Sequence, residues 1–182
     1  MQILFQRFLQ IALFRAGPQD LPAGNRPPVV AVLAALLAYM LSGLGVQAVG
    51  PALAQFGVDL LVTALFLYGG LQFQKRTARF AQAFAALMGS SAVINLAAVP
   101  VWLGMNDQIS AAGSLFLLLL LGWSMAVCAH VFRHTFELSA AAAAVVAVCY
   151  LVTSMAVSSA LPFNGVSTGE APAAVQYGEE FH

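Results

Sequence analysis

VDLLVTALFLYGGLQFQKRTARF, residues 58–80, joins an apolar stretch to the tightest cluster of positive charge in the chain. The apolar part, 58–73, is followed at once by Lys75, Arg76 and Arg79. A helix of about 20 apolar residues crosses the hydrocarbon core of a membrane, and basic residues concentrate on the cytoplasmic side of membrane spans. The stretch therefore predicts a short transmembrane helix whose carboxyl end lies in the cytoplasm.

The same alternation of apolar stretches and polar connections continues on both sides of this segment. It predicts an all-α fold, a polytopic membrane helix bundle with five transmembrane helices in one domain, 28–161. The five spans are predicted at about 28–49, 58–73, 80–103, 111–132 and 138–161.

The positive charges give this bundle an orientation. Every Lys and Arg residue lies before the first span or in an alternate connection: Arg7, Arg15, Arg26, Lys75, Arg76, Arg79 and Arg133. With a cytoplasmic N-terminus, all seven of these topology-determining residues lie inside. We therefore expect a bacterial inner-membrane protein whose C-terminus is periplasmic.

Composition limits the classes of partner. The chain is 61% hydrophobic and only 8% charged, whereas soluble domains carry about a quarter charged residues. The lipid bilayer is therefore the expected surrounding. Nucleic acid is not an expected partner, because no basic patch exceeds the three charges at 75–79. Cys128 and Cys149 fall within predicted spans and are expected to be buried free thiols.

Two segments precede the predicted bundle and one follows it. Residues 1–15 place glutamines and Arg7 on one side of a helix and apolar residues on the other, which predicts an amphipathic interfacial helix on the cytoplasmic surface. A short helix docked on the bundle fits the same pattern. Residues 16–27 are rich in Pro and Gly and form a linker. The acidic tail, 162–182, is expected to be flexible and external.

Charged groups are expected only at the ends of the predicted spans. Asp59 follows the short outer connection 50–57, so we expect it near the outer water boundary, as a helix-capping acid. An ionisable residue deep in the membrane is the usual trace of ion-coupled transporters and proton relays. Without one, a transporter is not supported by the sequence.

Polar and small residues in the third and fifth spans are predicted to face other helices or a subunit, since polar groups in hydrocarbon need partners and small residues allow close packing. These helix-packing residues are Ser90, Ser91, Asn95, Ala140, Ala144, Ser154 and Ser158.

One group of residues has potential chemistry. His130, His134 and Glu137 share a helix face by their spacings of four and three, and imidazoles with a carboxylate are acceptable ligands for zinc or iron. A further ligand is needed, and only His182 in the tail is available. The favoured alternative is an interfacial cluster in which Glu137 pairs with Arg133 and the histidines face lipid headgroups.

A short N-terminal segment with prolines and Asp20-Leu21, five closely spaced spans and a short external tail resemble the small bacterial form of the Yip1 family. The resemblance implies an inner-membrane protein that interacts with other proteins.

The expected function is that of a non-catalytic integral membrane scaffold or accessory subunit of a larger inner-membrane complex. It would pack against other integral membrane proteins or copies of itself, and it would need no cofactor. No Gly-rich nucleotide loop, Cys-x-x-Cys pair or zincin helix points to an enzyme. The alternative is a small metal-binding membrane enzyme or transporter that uses His130, His134 and Glu137, with Asn95 or Ser91 on the pathway.

Overall fold

The computed structural model describes residues 2–43, 48–104 and 110–160, and every regular element in these ranges is helical. The α-helices are α1 (Gln2–Ala12), α2 (Arg26–Ser42), α3 (Val49–Phe73), α4 (Phe80–Leu103), α5 (Ala111–Phe136) and α6 (Ala140–Ala160). Short 3-10 helices occupy Pro18–Asp20 and Thr77–Arg79. The predicted acidic tail, 162–182, lies outside the described residues.

Four helices are long and apolar enough to cross a membrane: Val49–Phe73, Thr77–Leu103, Ala111–Phe136 and Ala140–Ala160. Their outward faces carry large apolar side chains, such as Leu65 and Leu118, which are 62% and 63% exposed. The described residues thereby confirm the predicted helical fold, and four of its helices have the length and composition of an integral membrane protein. Helix α2 is apolar but has only 17 residues, which corresponds to about 25 Å at 1.5 Å per residue.

Helix α3 begins at Val49, nine residues before the predicted start of the second span at 58. The expected outer connection at 50–57 is therefore helical, and its prediction as a loop is wrong. The physical reason is the position of Pro51. A proline in the first turn of a helix loses no hydrogen bond, because the amide groups there have no partner within the helix. Gly50 and Pro51 accordingly begin a helix where the sequence suggested that one ended.

Helix α4 lies at the centre of the bundle and packs against α1, α2, α3 and α5. Small residues, including Ala83, Ala85, Ala86, Gly89 and Ala92, make up much of its buried surface. They allow the neighbouring helix axes to approach closely. The most extensive contact is with α2, which runs along α4.

Helix α1 is docked on the bundle and does not lie free on its surface. Phe8 and Ile11 are 2% and 0% exposed, and the Phe8 ring occupies the space beside Gly89 where any other residue would have a Cβ atom. The Trp123 indole Nε1–H donates a hydrogen bond of 2.8 Å to the Ala12 carbonyl oxygen. Trp123 is thirteen residues from the end of α5, or about 20 Å, so α1 reaches the middle of a membrane-length helix.

The linker returns from this depth along α5. His130 Nε2 lies 3.0 Å from the Ala16 carbonyl oxygen, and the Gln82 side-chain amide donates to the Leu21 carbonyl oxygen at 2.8 Å. The chain therefore comes back to the end of the bundle where α3 and α5 finish and α4 and α6 start. We call this end, which carries Lys75, Arg76, Arg79 and Arg133, the basic end.

Three non-glycine residues with positive φ follow the ends of helices. Phe14, Lys75 and Glu137 have φ values of 61°, 57° and 54°. In each case the next residue donates its amide to a carbonyl five residues back, as in the bond from Arg76 N to Leu71 O. This bond satisfies a carbonyl that the helix leaves without a partner, and glycine usually occupies the left-handed position.

The contact of Phe8 with Gly89 predicts the effect of a single methyl group. In Gly89→Ala the new Cβ overlaps the Phe8 ring, and overpacking of this kind costs about 1–3 kcal/mol. We expect a lower melting temperature in detergent and faster proteolysis at residues 13–25. Gly122→Ala is the matched control, because a Cβ there meets nothing within 4 Å. Equal stability of the two variants would contradict the docking of α1.

Candidate functional site

Asp59 is half-buried and lies in the middle part of helix α3. It is the eleventh residue of the 25-residue helix α3, about 15 Å from the first residue and about 21 Å from the last. The expectation that Asp59 caps the start of a helix is therefore wrong, because α3 begins ten residues earlier, at Val49. Its partners Ser154 and Ser158 lie in the last two turns of α6. A carboxylate at this depth is costly in hydrocarbon unless it has polar partners.

The partners of Asp59 come from its own helix and from α6. Its Oδ1 atom lies 3.3 Å from Gln55 Nε2 and 3.5 Å from the hydroxyl oxygens of Ser154 and Ser158. The Gln55 amide also donates to Ser158 Oγ at 2.7 Å. Two side chains of α6 therefore face the carboxylate directly.

A second polar contact joins the same two helices about one turn further along. Thr63 Oγ1 lies 2.8 Å from the Tyr150 hydroxyl oxygen and donates to the Asp59 carbonyl oxygen at 2.7 Å. Thr63 is only 1% exposed. The polar seam between α3 and α6 is thus continuous from Gln55 to Thr63.

This seam borders a cavity of about 250 Å³. Each of the helices α2 to α6 contributes to its lining. The polar lining residues are Tyr39 of α2, Asp59 and Thr63 of α3, Ser91 and Asn95 of α4, Ser124 and Cys128 of α5, and Tyr150 and Ser154 of α6. Leucine, methionine, phenylalanine and alanine side chains complete the wall. The cavity is therefore the place where the bundle brings its polar groups together.

The size and charge of the cavity restrict what fits in it. Pockets for drug-sized ligands have about 300–1,000 Å³, whereas a water molecule occupies about 30 Å³ of liquid volume. The cavity is therefore suited to a few waters and a small ion. Within the described residues its lining carries one acidic side chain, Asp59, among neutral oxygens. The Gln55 Oε1 atom is buried and has no hydrogen-bond partner in the described part of the chain.

The predicted helix-packing residues have different environments. Ser91 and Asn95 line the cavity, and Asn95 Nδ2 donates to the Ser91 carbonyl oxygen at 3.0 Å. Ser90 is buried and bonds back to the Ala86 carbonyl oxygen at 2.7 Å. Ser154 and Ser158 face Asp59, as described above. Ala140 and Ala144 are exposed on the surface of α6.

The sequence contains a signal for the Asp59 site that the prediction of an outer cap overlooks. Gln55, Asp59 and Thr63 follow one another at intervals of four, and so do Tyr150, Ser154 and Ser158. Residues four apart share a helix face. Two such polar stripes in apolar helices indicate faces that pair with each other.

The histidine cluster lies near the basic end. The rings of His130 and His134 are edge to face with centroids 4.6 Å apart, and His130 also contacts the Phe14 ring at 5.4 Å. Residues 2–43, 48–104 and 110–160 contain no group of three metal-ligating side chains. His182, the further ligand considered for a metal, lies outside those ranges.

Glu137 pairs with Arg76 and Arg79 and not with Arg133. The reason is its left-handed backbone, which turns the side chain away from the face of α5 that carries Arg133. Hydrogen bonds from Arg76, and then from Arg79, lower the pKa of the Glu137 carboxyl group. The ion pairs join the end of α5 to the connection between α3 and α4.

Both cysteines are free. Cys128 is half-buried beside the cavity, whereas Cys149 is exposed on α6. The prediction of a buried thiol is therefore wrong for Cys149, because only two residues of α6, Ala143 and Ala147, are buried.

Comparison of the chain with protein-family models, with curated proteins and with solved structures found no match.

The ion pairs of Glu137 predict a pH dependence with a definite sign. Because the pKa is lower in the folded state, the pairs stabilise the fold at neutral pH, and this stabilisation is lost as the pH falls through the lowered pKa. Glu137→Gln should slightly lower the melting temperature at pH 7, and the difference from wild type should vanish in acid. The effect is small because the side chains are 40–51% exposed.

Arg133→Gln is the control, since it removes a basic residue that does not pair with Glu137. Its melting curve should keep the acid dependence of the wild type. An acid dependence that disappears in Arg133→Gln but persists in Glu137→Gln would contradict the pairing.

Proposed function

We propose that this protein binds a proton or another monovalent cation at Asp59 and moves it as part of cation-linked transport. One observation carries the proposal: the Asp59 carboxylate lies halfway along a membrane-length helix and borders a polar cavity. An ionisable residue at this depth is costly, and such residues mark ion pathways and proton relays.

Charge supports a monovalent ion. The described lining offers one carboxylate, and its other polar groups are hydroxyls, an amide and a thiol. One negative charge in a medium of low dielectric constant is balanced by one positive charge. Ca²⁺ is normally held by six to eight oxygens, often from several carboxylates, and Mg²⁺ demands a regular octahedron. A proton or a monovalent cation is therefore the better match.

The arrangement of hydrogen bonds supports exchange of the ion. Gln55 and the two serines of α6 stabilise the ionised carboxylate from one side, at 3.3–3.5 Å. These contacts are long compared with the usual 2.7–2.9 Å of charge-assisted hydrogen bonds. The carboxylate is thus held in place without being saturated, which leaves it able to take a proton or an ion from the cavity.

The topology that we propose has five spans, with α2 as the first and with the basic end in the cytoplasm. All seven basic residues support this orientation through the positive-inside rule. The cavity then lies in the outer half of the bundle, since Asn95 and Ser154 are eight and six residues from the ends of their helices. Cations would reach it from the periplasmic side of a bacterial inner membrane.

The scaffold function expected from sequence remains a second proposal because of one observation. Ala140 and Ala144 are exposed at an interval of four on α6, and such small-residue pairs let another membrane helix pack closely. In this proposal the protein is a non-catalytic accessory subunit that binds a second copy or another membrane protein there. Its resemblance to the Yip1 family stays a prediction.

Cation flux through Asp59 can be measured in proteoliposomes that contain a pH-sensitive or sodium-sensitive dye. With an imposed membrane potential, wild type should carry protons or sodium ions faster than empty liposomes. Asp59→Asn keeps the size of the side chain but removes its charge, so we expect at least about a tenfold loss of flux, or about 1.4 kcal/mol. Ser154→Ala should give an intermediate rate.

Thr153→Ala is the control for this experiment, because Thr153 is exposed on the same helix and its hydroxyl donates to the Cys149 carbonyl oxygen of α6 and not to Asp59. It should leave the flux unchanged. Flux equal in Asp59→Asn and wild type, or no flux above that of empty liposomes, would refute the proposal. Infrared difference spectroscopy provides a second measurement, since a protonated Asp59 gives a carboxylic-acid band that is absent in Asp59→Asn.

The accessory-subunit proposal makes a separate prediction. Ala144→Leu adds bulk on the small-residue face of α6 and should weaken a helix contact there, which native mass spectrometry of the complex or oligomer can detect. Ala156→Leu is the control, because Ala156 is exposed about a third of a turn away around the same helix. Equal assembly of both variants and wild type would exclude this face as the interface.

A further inference from the structure

A second cavity lies at the basic end, separate from the Asp59 site. It has about 270 Å³ and is formed where the linker, the start of α4 and the end of α5 meet. The side chains that give it its chemistry are Gln19, Arg79, Gln82, His134, Thr135 and Glu137. The inference drawn from it does not depend on the function proposed for Asp59.

Positive charge is in excess around this cavity. Arg76 and Arg79 share the single carboxylate of Glu137, each through its Nη1 atom. Two guanidinium groups and one carboxylate give this ion-paired cluster a net charge of about one positive unit. Asp20 and Arg133 also interact electrostatically with His134, and their opposite charges offset each other. A guanidinium has five N–H donors in a planar fork that matches the oxygens of a phosphate group. Arg79, which lines the cavity, therefore has donors beyond those that face Glu137.

Thr135 provides an independent indication of a ligand. It lines the cavity, is only 2% exposed, and its Oγ1 atom has no hydrogen-bond partner in the described parts of the chain. A buried hydroxyl without a partner costs free energy. An anionic oxygen in the cavity is an acceptor for this hydroxyl and for the amides of Gln19 and Gln82.

We propose that this cavity binds a phosphate group, and that the phosphate belongs to the headgroup of a membrane lipid. The lipid source follows from position: α4 starts and α5 ends here, where a membrane-length helix leaves the hydrocarbon and meets the headgroups. A phosphodiester carries one negative charge, which balances the net charge of the two arginines and Glu137. Arg79 and Thr135 bind the phosphate oxygens, and the first part of the linker, with Pro18 and Gln19, forms one wall.

The test measures binding to the full-length protein in a phosphate-free maltoside detergent, with phosphatidylglycerol in one arm and inorganic phosphate in the other. Native mass spectrometry counts bound lipids, and a titration gives the apparent dissociation constant. We expect one retained phosphatidylglycerol per chain and weaker binding of inorganic phosphate. Inorganic phosphate that binds as tightly as the lipid, with the same dependence on Arg79, would assign the site to the free ion.

Four variants make the result specific. Arg79→Ala should weaken lipid binding at least about tenfold, and Thr135→Val about two- to tenfold, as expected for loss of a charged and a neutral hydrogen bond. Lys75→Ala and Arg133→Ala remove charges from the same end that do not line the cavity, and they should change binding less than about twofold.

Glu137→Gln separates ligand binding from folding. It breaks the same ion pair as Arg79→Ala but removes a competing negative charge, so it should bind the lipid at least as tightly as wild type. Thr135→Val should not lower the melting temperature, since it removes an unpartnered hydroxyl. Equal lipid binding by wild type, Arg79→Ala and Thr135→Val would overturn the proposal, and so would a loss in Glu137→Gln that matches the loss in Arg79→Ala.

Discussion

The hydrogen bonds around the Asp59 carboxylate connect the polar interior of this bundle, because hydrocarbon offers no partner to a charge and the protein has to supply them all. Gln55 precedes Asp59 by one turn, Thr63 follows it by one turn, and the facing helix brings Ser154 and Ser158 to within 3.5 Å. Because Asp59 has to face Ser154 and Ser158, these hydrogen bonds fix the rotation of α3 and α6 about their axes. Helix α6, with only two buried residues, is thus positioned both by its hydrogen bonds to α3 and by its packing against α5.

Much of the fold follows from the sequence, and the places where it does not have physical causes. The apolar stretches and the basic residues predict the long helices and the end at which the charges gather. Gly50 and Pro51 predict a connection at 50–57 because glycine and proline usually end a helix, although a proline in the first turn is compatible with starting one. The earlier start of α3 makes Asp59 the eleventh residue of a membrane-length helix and not its cap, and the proposed ion transport depends on this position.

The candidate site is harder to predict than the helices because it depends on which faces meet. Ser91, Asn95, Ser154 and Ser158 could be recognised as inward-facing from their polarity, and the structure places all four beside Asp59 or its cavity. The polar stripes at 55–63 and 150–158 indicate that α3 and α6 pair, but each stripe has meaning only when the two are compared. At the basic end, the ion-pair partners of Glu137 are hard to predict because they depend on its backbone conformation. The left-handed backbone of Glu137 directs its carboxylate to Arg76 and Arg79.

The docking of α1 has a consequence for how the protein is made. The Ala12 carbonyl and the Trp123 indole are 111 residues apart in the chain, and Phe8 needs the surface around Gly89. At a synthesis rate of about 5–20 residues per second, the ribosome takes on the order of ten seconds to produce the partners of a helix that emerges first. During this interval the apolar face of α1 has no native binding surface. Helix α1 is consequently synthesised well before the surfaces on which it docks, and it reaches its final place only after they have formed.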